Sequence, residues 1–142
     1  MTIRVERNHG IDTIWLARPE KRNAFDGEML HKLEEALQQA QQQESCRVVV
    51  IAAEGKAFCA GADLAWMARQ AAEGGEANVR GARTMGGIFH RISACRKPVV
   101  ARVHGATMGG GVGLASACDI VVATRQAFFA LSEVRLGLVP AV

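Results

Sequence analysis

The stretch HGATMGGGVGLASACDI, residues 104–120, places consecutive glycines at 109–111 between an apolar segment and a run of small residues. The composition of residues 98–103 predicts a strand, and residues 112–118 are compatible with a helix. A glycine inside a regular element costs about 0.5–1 kcal/mol relative to alanine, because its backbone loses more freedom on folding. We therefore expect some group to approach this backbone so closely that side chains are excluded.

Three explanations for the glycines differ in what approaches them. A dinucleotide-binding turn, G-x-G-x-x-G, beginning at Gly109 would need glycine where Leu114 stands, and no G-x-x-x-x-G-K-[ST] phosphate loop occurs. Close packing of a strand against a helix is a second explanation and stays open. The third is an oxyanion site, because a helix N-terminus presents free backbone N–H groups. One such donor can lower a reaction barrier by about 3–4 kcal/mol.

A second junction of similar composition lies earlier in the chain. It consists of Ala60, Gly61, Ala62 and Asp63, follows an apolar run, and opens a helix that Asp63 can cap. Two such junctions on neighbouring parallel strands would face one crevice at the carboxyl edge of a sheet. The two turns together predict a pair of backbone donors around one acceptor atom.

Alternating strand and helix patterns along the chain predict an α/β fold with a mostly parallel sheet. The predicted strands are residues 3–6, 13–16, 47–53, 98–103, 120–123 and 128–131, and 58–63 is interpreted as a loop. The predicted helices are 26–43, one from Leu64 to a break at Gly74 and Gly75, 78–94 and 112–118. The inner side of the helix at 78–94 is predicted to carry Val79, Ala82, Met85, Phe89 and Ile92.

Composition narrows the class of protein. The chain has 142 residues, 49% hydrophobic and 22% charged, which suits one globular domain. The net charge of +3 comes without a run of like charges and without tyrosine, so no nucleic-acid partner is expected. No apolar run reaches the roughly 20 residues of a membrane span, and residues 1–7 lack the apolar core of a signal peptide. We expect a cytoplasmic protein with no membrane partner.

The cysteines and histidines are scattered and form neither a C-x-x-C pair nor an H-x-x-x-H pair. A metal site and a disulfide framework are therefore not expected. We expect the cysteines to be reduced and mostly buried; they are Cys46, Cys59, Cys95 and Cys118.

Four sequence motifs follow one another along nearly the whole chain. They are RPEKRNAF at 18–25, KAFCAGADL at 56–64, GGGVGLASACDI at 109–120 and LSEVRLGLVP at 131–140. In this order they resemble the enoyl-CoA hydratase/isomerase, or crotonase, family. The resemblance implies a crotonase-like spiral of β-β-α turns with two roughly perpendicular sheets, acting on an acyl-CoA thioester.

The resemblance also implies roles for particular residues. Two backbone N–H groups hold the thioester oxygen in the family, and by position they fall on Ala62 and Gly110. Family hydratases hold water between two glutamates, of which the second falls on Glu133 and the first on Gly113. That glycine departs from the two-glutamate pattern that the resemblance implies for straight-chain hydration. An exposed acid paired with Arg135 is the structural alternative for Glu133.

Hydration of an unsaturated acyl-CoA is the leading function that the resemblance implies. Double-bond isomerisation by Glu133 alone is one alternative, and a catalytically silent CoA-binding or oligomer-forming member is another. The run SEVRLGL, together with Gly113, resembles hydratases of methylglutaconyl-type CoA esters, whose substrate has its own γ-carboxylate.

The same resemblance gives candidates for binding the substrate. Lys21 and Arg22 are candidates for contacts to the CoA phosphates, and Ala24 for lining the path of the ligand. The two turns contribute Ala60, Gly61, Ala62, Asp63, Leu64, Gly109, Gly110 and Gly113. Coenzyme A is part of the substrate, so no separate cofactor is expected.

Family members are almost twice as long as this sequence, and their C-terminal helices cover the acyl pocket and build a trimer. We therefore expect residues 1–142 to be the N-terminal core portion, with the C-terminal helical part absent. The full-length protein is expected to form a homo-oligomer, a trimer or a dimer of trimers. Without those helices, large apolar patches should be exposed.

Overall fold

A computed structural model describes residues 2–140, and in this range the chain forms eight strands and four α-helices. The strands are β1 (Ile3–Asn8), β2 (Ile11–Leu16), β3 (Val48–Ala53), β4 (Ala57–Cys59), β5 (Val99–Val103), β6 (Ala106–Met108), β7 (Ile120–Ala123) and β8 (Phe128–Ala130). The α-helices are α1 (Gly27–Gln42), α2 (Leu64–Glu73), α3 (Gly75–Ser93) and α4 (Gly110–Ser116). Short 3-10 helices occupy Pro19–Lys21 and Ser132–Leu136.

The strands form two sheets between which the chain alternates. The larger sheet has the order β1-β2-β3-β5-β7, with β1 antiparallel to β2 and the other pairs parallel. The smaller sheet has the order β4-β6-β8 and is parallel throughout. From β3 onward, each strand of the larger sheet is followed by one of the smaller sheet. The predicted α/β fold with mostly parallel strands is confirmed.

The core lies between the larger sheet and α1. Asp26 caps this helix as predicted, because its carboxylate accepts a hydrogen bond of 3.0 Å from the Met29 N–H. The apolar face of α1 is buried in one cluster with the inward side chains of the sheet, such as Ile14 and Ile51. Each fully buried side chain of this kind contributes about 1.5–3 kcal/mol. This packing holds the larger sheet in position against α1.

Three local predictions were wrong. Phe58 and Cys59 belong to the buried strand β4 rather than to a loop, and β6 was not predicted at all. Both strands have three residues, which is too short for a period-two pattern to be recognised. On α3, Val79 and Ala82 are exposed, whereas Ala77 and Ile88 are buried.

The end of the chain differs from the core, because its large apolar side chains are exposed. They lie on β7, on β8 and on the residues that follow: Ile120, Val121, Val122, Phe128, Phe129, Leu131, Val134, Leu136, Leu138 and Val139. We call this set the exposed apolar surface; it agrees with the expected apolar patches. In the described part of the chain, no helix combines the length and apolar character needed to cross a membrane.

Candidate active site

The two predicted turns lie against each other where β4 and β6 end. These strands are parallel neighbours, so the segments that follow them emerge at the same edge of the smaller sheet. A Cβ atom on Gly61, whose φ is +90°, would lie 2.8 Å from the carbonyl oxygen of Met108 and 3.2 Å from the Gly110 nitrogen. Only glycine allows this approach without strain. The structure therefore brings both turns into one site.

Each glycine of the triple run makes room for a different group. A Cβ atom would lie 2.9 Å from Glu133 Oε1 if built on Gly109, and 2.5 Å from the Phe25 ring if built on Gly110. On Gly111 it would lie 2.5 Å from the carbonyl oxygen of Cys59. Close packing of protein groups, one of the explanations left open, thus requires glycine at positions 110 and 111, whereas the φ of +51° favours glycine at position 109. An oxyanion site would use only the N–H groups that this packing positions.

The backbone N–H of Ala62 is directed away from its neighbouring segment. Ala62 and Phe25 form an isolated parallel bridge, in which the Phe25 N–H donates to Gly61 O at 2.9 Å and the Asp63 N–H donates to Phe25 O at 2.8 Å. In such a pairing, the residue between the two bonded positions points its own N–H to the opposite side. Within residues 2–140, no backbone group accepts from the Ala62 N–H.

The backbone N–H of Gly110 is a second free donor. Gly110 is the first residue of α4, and the first N–H groups of a helix have no partner within it. The preceding residue, Gly109, has a φ of +51°. The N–H of Gly109 donates to Ala130 O at 2.9 Å. In the part of the chain that the structure describes, the Gly110 N–H has no backbone acceptor.

A cavity of about 490 Å³ is lined by Ala62 and Gly110. The other lining residues are Ala60, Gly61, Leu64, Met67, Met85, Met108, Gly109, Ser132, Glu133, Arg135, Leu136, Leu138 and Val139. Of these described residues, only Glu133 and Arg135 carry charge. Apolar walls strengthen a hydrogen bond to a charge that develops during a reaction, because they exclude competing water.

Glu133 presents a carboxylate beside the glycine turn. It lies in the 3-10 helix Ser132–Leu136, and its Oε1 atom faces Gly109. Its Oε2 atom is buried and has no hydrogen-bond partner among residues 2–140. The residue as a whole is half-buried, so the alternative that Glu133 is an exposed acid is wrong. A buried carboxylate oxygen without a protein partner calls for an explanation, and a role toward a substrate or a water molecule is one.

Five of the predicted binding residues lie outside the cavity lining. Lys21 and Arg22 are exposed at the end of the first 3-10 helix, and Ala24 follows them in the same loop. Gly113 is buried within α4. Asp63 is buried and caps α2 as predicted.

The Asp63 carboxylate is fully engaged in holding the start of α2. It accepts hydrogen bonds from the Ala65 N–H at 2.9 Å and the Trp66 N–H at 3.1 Å. The bond from Trp66, together with the charge of Arg18 at 3.0 Å, holds the pKa of Asp63 below its ordinary value. Asp63 thus shapes the site without facing the cavity.

Sequence reasoning missed two residues that support the Ala62 turn. Arg18 forms ion pairs with Asp26 and Asp63, the capping residues of α1 and α2. Asn23 is fully buried with a φ of +55°, and its amide donates to Glu54 O at 2.8 Å and to Ala57 O at 2.9 Å. Asparagine is among the few residues other than glycine that adopt this conformation readily. This conformational tolerance is the one local feature of the sequence that could have indicated the positive φ of Asn23.

The buried cysteines confirm one sequence prediction. Cys46, Cys59 and Cys118 are buried, and Cys95 is half-buried. Burial raises the pKa of the Cys59 thiol to about 12, so it is neutral near pH 7. Its sulfur donates to Asn23 O at 3.2 Å, which ties β4 to the loop at 18–25.

The chain matches one family model, described as enoyl-CoA hydratase/isomerase, over residues 6–142. Enoyl-CoA hydratase AKT6-1 of Alternaria alternata is 40% identical over 132 residues, which are 93% of this chain and 42% of that protein. The mitochondrial Delta(3,5)-Delta(2,4)-dienoyl-CoA isomerase of Mus musculus is 39% identical over 133 residues, or 88% of this chain and 41% of that protein.

A solved structure is also similar to this chain. The crystal structure of an enoyl-CoA hydratase from Shewanella pealeana has a TM-score of 0.94 and 37% identity, covering 99% of this chain and 53% of that chain. The chain spans about half the length of several curated relatives it matches: 41% of the mouse isomerase and 54% of a relative from Thermus thermophilus.

Proposed function

The chain belongs to the enoyl-CoA hydratase/isomerase family, and we propose that its cavity binds an unsaturated acyl-CoA thioester and adds water to the double bond. The observation that supports this proposal best is the grouping of three features in one apolar cavity. These are the free N–H groups of Ala62 and Gly110 and the carboxylate of Glu133, whose Oε2 atom is buried.

The two backbone donors stabilise the enolate. When an oxygen nucleophile attacks the β-carbon, the electrons of the double bond move toward the thioester, and negative charge develops on its oxygen. The N–H groups of Ala62 and Gly110 donate to that oxygen and bind it more tightly as the charge grows. A donor of this kind is worth about 3–4 kcal/mol of barrier.

Glu133 transfers the proton. Its carboxylate accepts a proton from water as the water oxygen bonds to the β-carbon, and the resulting carboxylic acid then donates a proton to the α-carbon of the enolate, which regenerates the carboxylate. General acid–base catalysis of this kind contributes about 10²–10⁴-fold. Glu133 is the only carboxylate lining the cavity in the described part of the chain, which fits a single-acid mechanism.

That single carboxylate also supports a second candidate, isomerisation of the double bond. Glu133 would remove a proton from one carbon of the acyl chain and return it to another, with the same enolate held by Ala62 and Gly110. A matched relative bears the name of a dienoyl-CoA isomerase. Hydration and isomerisation differ in whether an oxygen atom from solvent enters the product.

The test is a panel of enoyl-CoA esters incubated in H₂¹⁸O, with products followed by mass spectrometry. Hydration predicts that one ¹⁸O atom is incorporated into the product of at least one ester. A product of unchanged mass with a moved double bond would establish the isomerase. No conversion of any ester, with CoA-ester binding intact, would favour the catalytically silent alternative.

We further propose that the acyl chain carries its own carboxylate, as in a methylglutaconyl-type ester. Arg135 is the only cation lining the cavity among residues 2–140, and a guanidinium binds a carboxylate through paired hydrogen bonds. Arg135→Met should lower kcat/KM for the acidic ester by about tenfold or more. Its uncharged methyl ester is the control, and equal losses for both esters would contradict this assignment.

The exposed cations at positions 21 and 22 are proposed to bind the CoA phosphates. Lys21→Ala and Arg22→Ala should each weaken CoA-ester binding several-fold at low salt, because surface charges act through a screened field. Calorimetry at low and high ionic strength measures this effect. Lys32→Ala removes an exposed charge from α1 and is the matched control.

The assembly and location of the full-length protein remain predictions. We propose that the full-length protein forms a homo-oligomer, a trimer or a dimer of trimers, whose contacts cover part of the exposed apolar surface while further helices of the chain cover the rest. Light scattering on the full-length protein tests this, and a stable monomer would contradict it. Cytoplasmic location is tested by fractionation.

A further inference from the structure

We propose that Arg18 is a positioning residue for the oxyanion site, fixing the direction of the Ala62 N–H by joining the caps of two helices. This inference rests on the proposed function, because it assigns that N–H to the thioester oxygen. Arg18 itself does not line the cavity.

The guanidinium of Arg18 holds both capping carboxylates. Nη1 lies 3.1 Å from Asp26 Oδ2, and Nη2 lies 3.0 Å from Asp63 Oδ2. Nη1 also donates to Ala24 O at 3.0 Å. The side chain is only 17% exposed, and the planar fork of a guanidinium fixes its partners in direction as well as distance. Arg18 thus links the loop at 18–26 to the start of α2.

This link reaches Ala62 through its two chain neighbours. On one side, Gly61 O accepts from the Phe25 N–H at 2.9 Å. On the other side, the backbone N–H of Asp63 donates to Phe25 O at 2.8 Å. The Asp63 carboxylate accepts hydrogen bonds from the N–H groups of Ala65 and Trp66 and forms the ion pair with Arg18. The orientation of the Ala62 N–H follows from these contacts. Without Arg18, the Asp63 carboxylate would lose its partner at Oδ2, and the first turn of α2 would be freer to rotate.

A small rotation here has a large catalytic consequence. A donor must lie within hydrogen-bond distance of the position that the charged oxygen takes in the transition state. Displacement by about 1 Å is enough to cost on the order of 10²-fold in rate. A role in stability alone would lower the melting temperature and leave the polarisation of a bound thioester unchanged. The two roles are therefore separable by measuring the thioester itself.

The test compares Arg18→Met and Arg18→Lys with Arg4→Met. Arg4 lies on β1, forms an ion pair with Glu54 at the same distance of 3.0 Å and does not line the cavity; its side chain is 40% exposed. The readout is the infrared C=O stretch of butyryl-CoA carrying ¹³C at its thioester carbonyl, measured free and bound. This ester has no double bond to hydrate, and stronger hydrogen bonds to its oxygen lower the stretching frequency. Circular dichroism verifies that each variant is folded.

We expect the stretch to fall on binding to the unchanged protein and to the Arg4 variant. Arg18→Met should lose most of that shift, with kcat reduced about tenfold or more and KM changed less than threefold. Arg18→Lys should recover only part of it, because an ammonium lacks the planar fork. A full shift in folded Arg18→Met would overturn the inference. No shift in the unchanged protein would instead contradict the proposed function.

Asp63→Asn keeps the test decisive if the arginine variants fail to fold. The amide retains an oxygen that can cap α2 but removes the charge that Arg18 holds. Loss of the infrared shift in this variant supports the inference, and a retained shift overturns it.

Discussion

The two sides of the cavity are built in different ways. The donor half, residues 18–26 and 57–66, surrounds Ala62 with hydrogen bonds between loops, and its phenylalanines, Phe25 and Phe58, are buried. The carboxylate half, residues 128–139, holds Glu133 in a short 3-10 helix whose neighbouring apolar side chains are exposed. The backbone donors are thus positioned by the interior of the molecule, and the carboxylate by a surface segment that rests on Gly109.

This difference implies that substitutions should act differently on the two halves. Changes in the donor half should alter folding and donor geometry together, because the same contacts serve both. Changes in the carboxylate half should alter chemistry with little effect on the stability of this chain.

The largest difference is expected between two phenylalanines of the smaller sheet. Phe58 on β4 is fully buried, whereas Phe128 on β8 is 53% exposed. Phe58→Ala should reduce the free energy of unfolding by about 3–5 kcal/mol, because it removes buried area and leaves a cavity. Phe128→Ala should cost below about 1 kcal/mol. Denaturant titration measures both, and equal losses would remove the distinction between the halves.

A smaller difference is expected between two helical glycines. A Cβ atom on Gly111 would lie 2.5 Å from Cys59 O, which is backbone and cannot move aside, while one on Gly86 of α3 meets no heavy atom within 4 Å. Gly111→Ala should destabilise by about 1–3 kcal/mol through overpacking. Gly86→Ala should stabilise by up to about 1 kcal/mol, because alanine favours a helix. Thermal unfolding of the two variants would contradict this if both changes had the same sign.

The smallest effect concerns the charge of Asp63 and its dependence on pH. Because the folded pKa of Asp63 is lowered, its ionised form adds stability in full above the ordinary carboxyl pKa near 4 and loses it as pH falls through the lowered value. Asp63→Asn should therefore cost about 1 kcal/mol at pH 7 and progressively less below pH 4. The matched control is Glu44→Gln, whose side chain is exposed in the loop after α1. A loss independent of pH would contradict the role of the charge.

Much of the fold follows from local sequence patterns. The apolar run before Glu54 predicts β3, and Asp26 and Asp63 predict the starts of α1 and α2, because these signals lie within a few residues of the structure they determine. The short strands β4 and β6 do not follow, because their pairing depends on segments almost fifty residues apart. Val79 is exposed for a related reason, since the surroundings of α3 depend on tertiary packing.

The candidate site was predictable in part. The glycine pattern and the motif order led to Ala62, Gly110 and Glu133, which all line one cavity. Arg18 was not predictable, because its partner Asp63 lies 45 positions away in the sequence. No local sequence feature indicates which cation forms the ion pair with Asp63. Gly113 was assigned by position in a motif, whereas the structure buries it within α4.

The most direct measurement is the turnover of Glu133→Gln on the best substrate that the panel identifies. The amide keeps the size of the side chain but cannot accept a proton from water, so kcat should fall by about 10²-fold or more. The Kd for the CoA ester should stay within a few-fold, because the backbone donors of Ala62 and Gly110 remain in place. An unchanged kcat would remove Glu133 from the chemistry and contradict the mechanism.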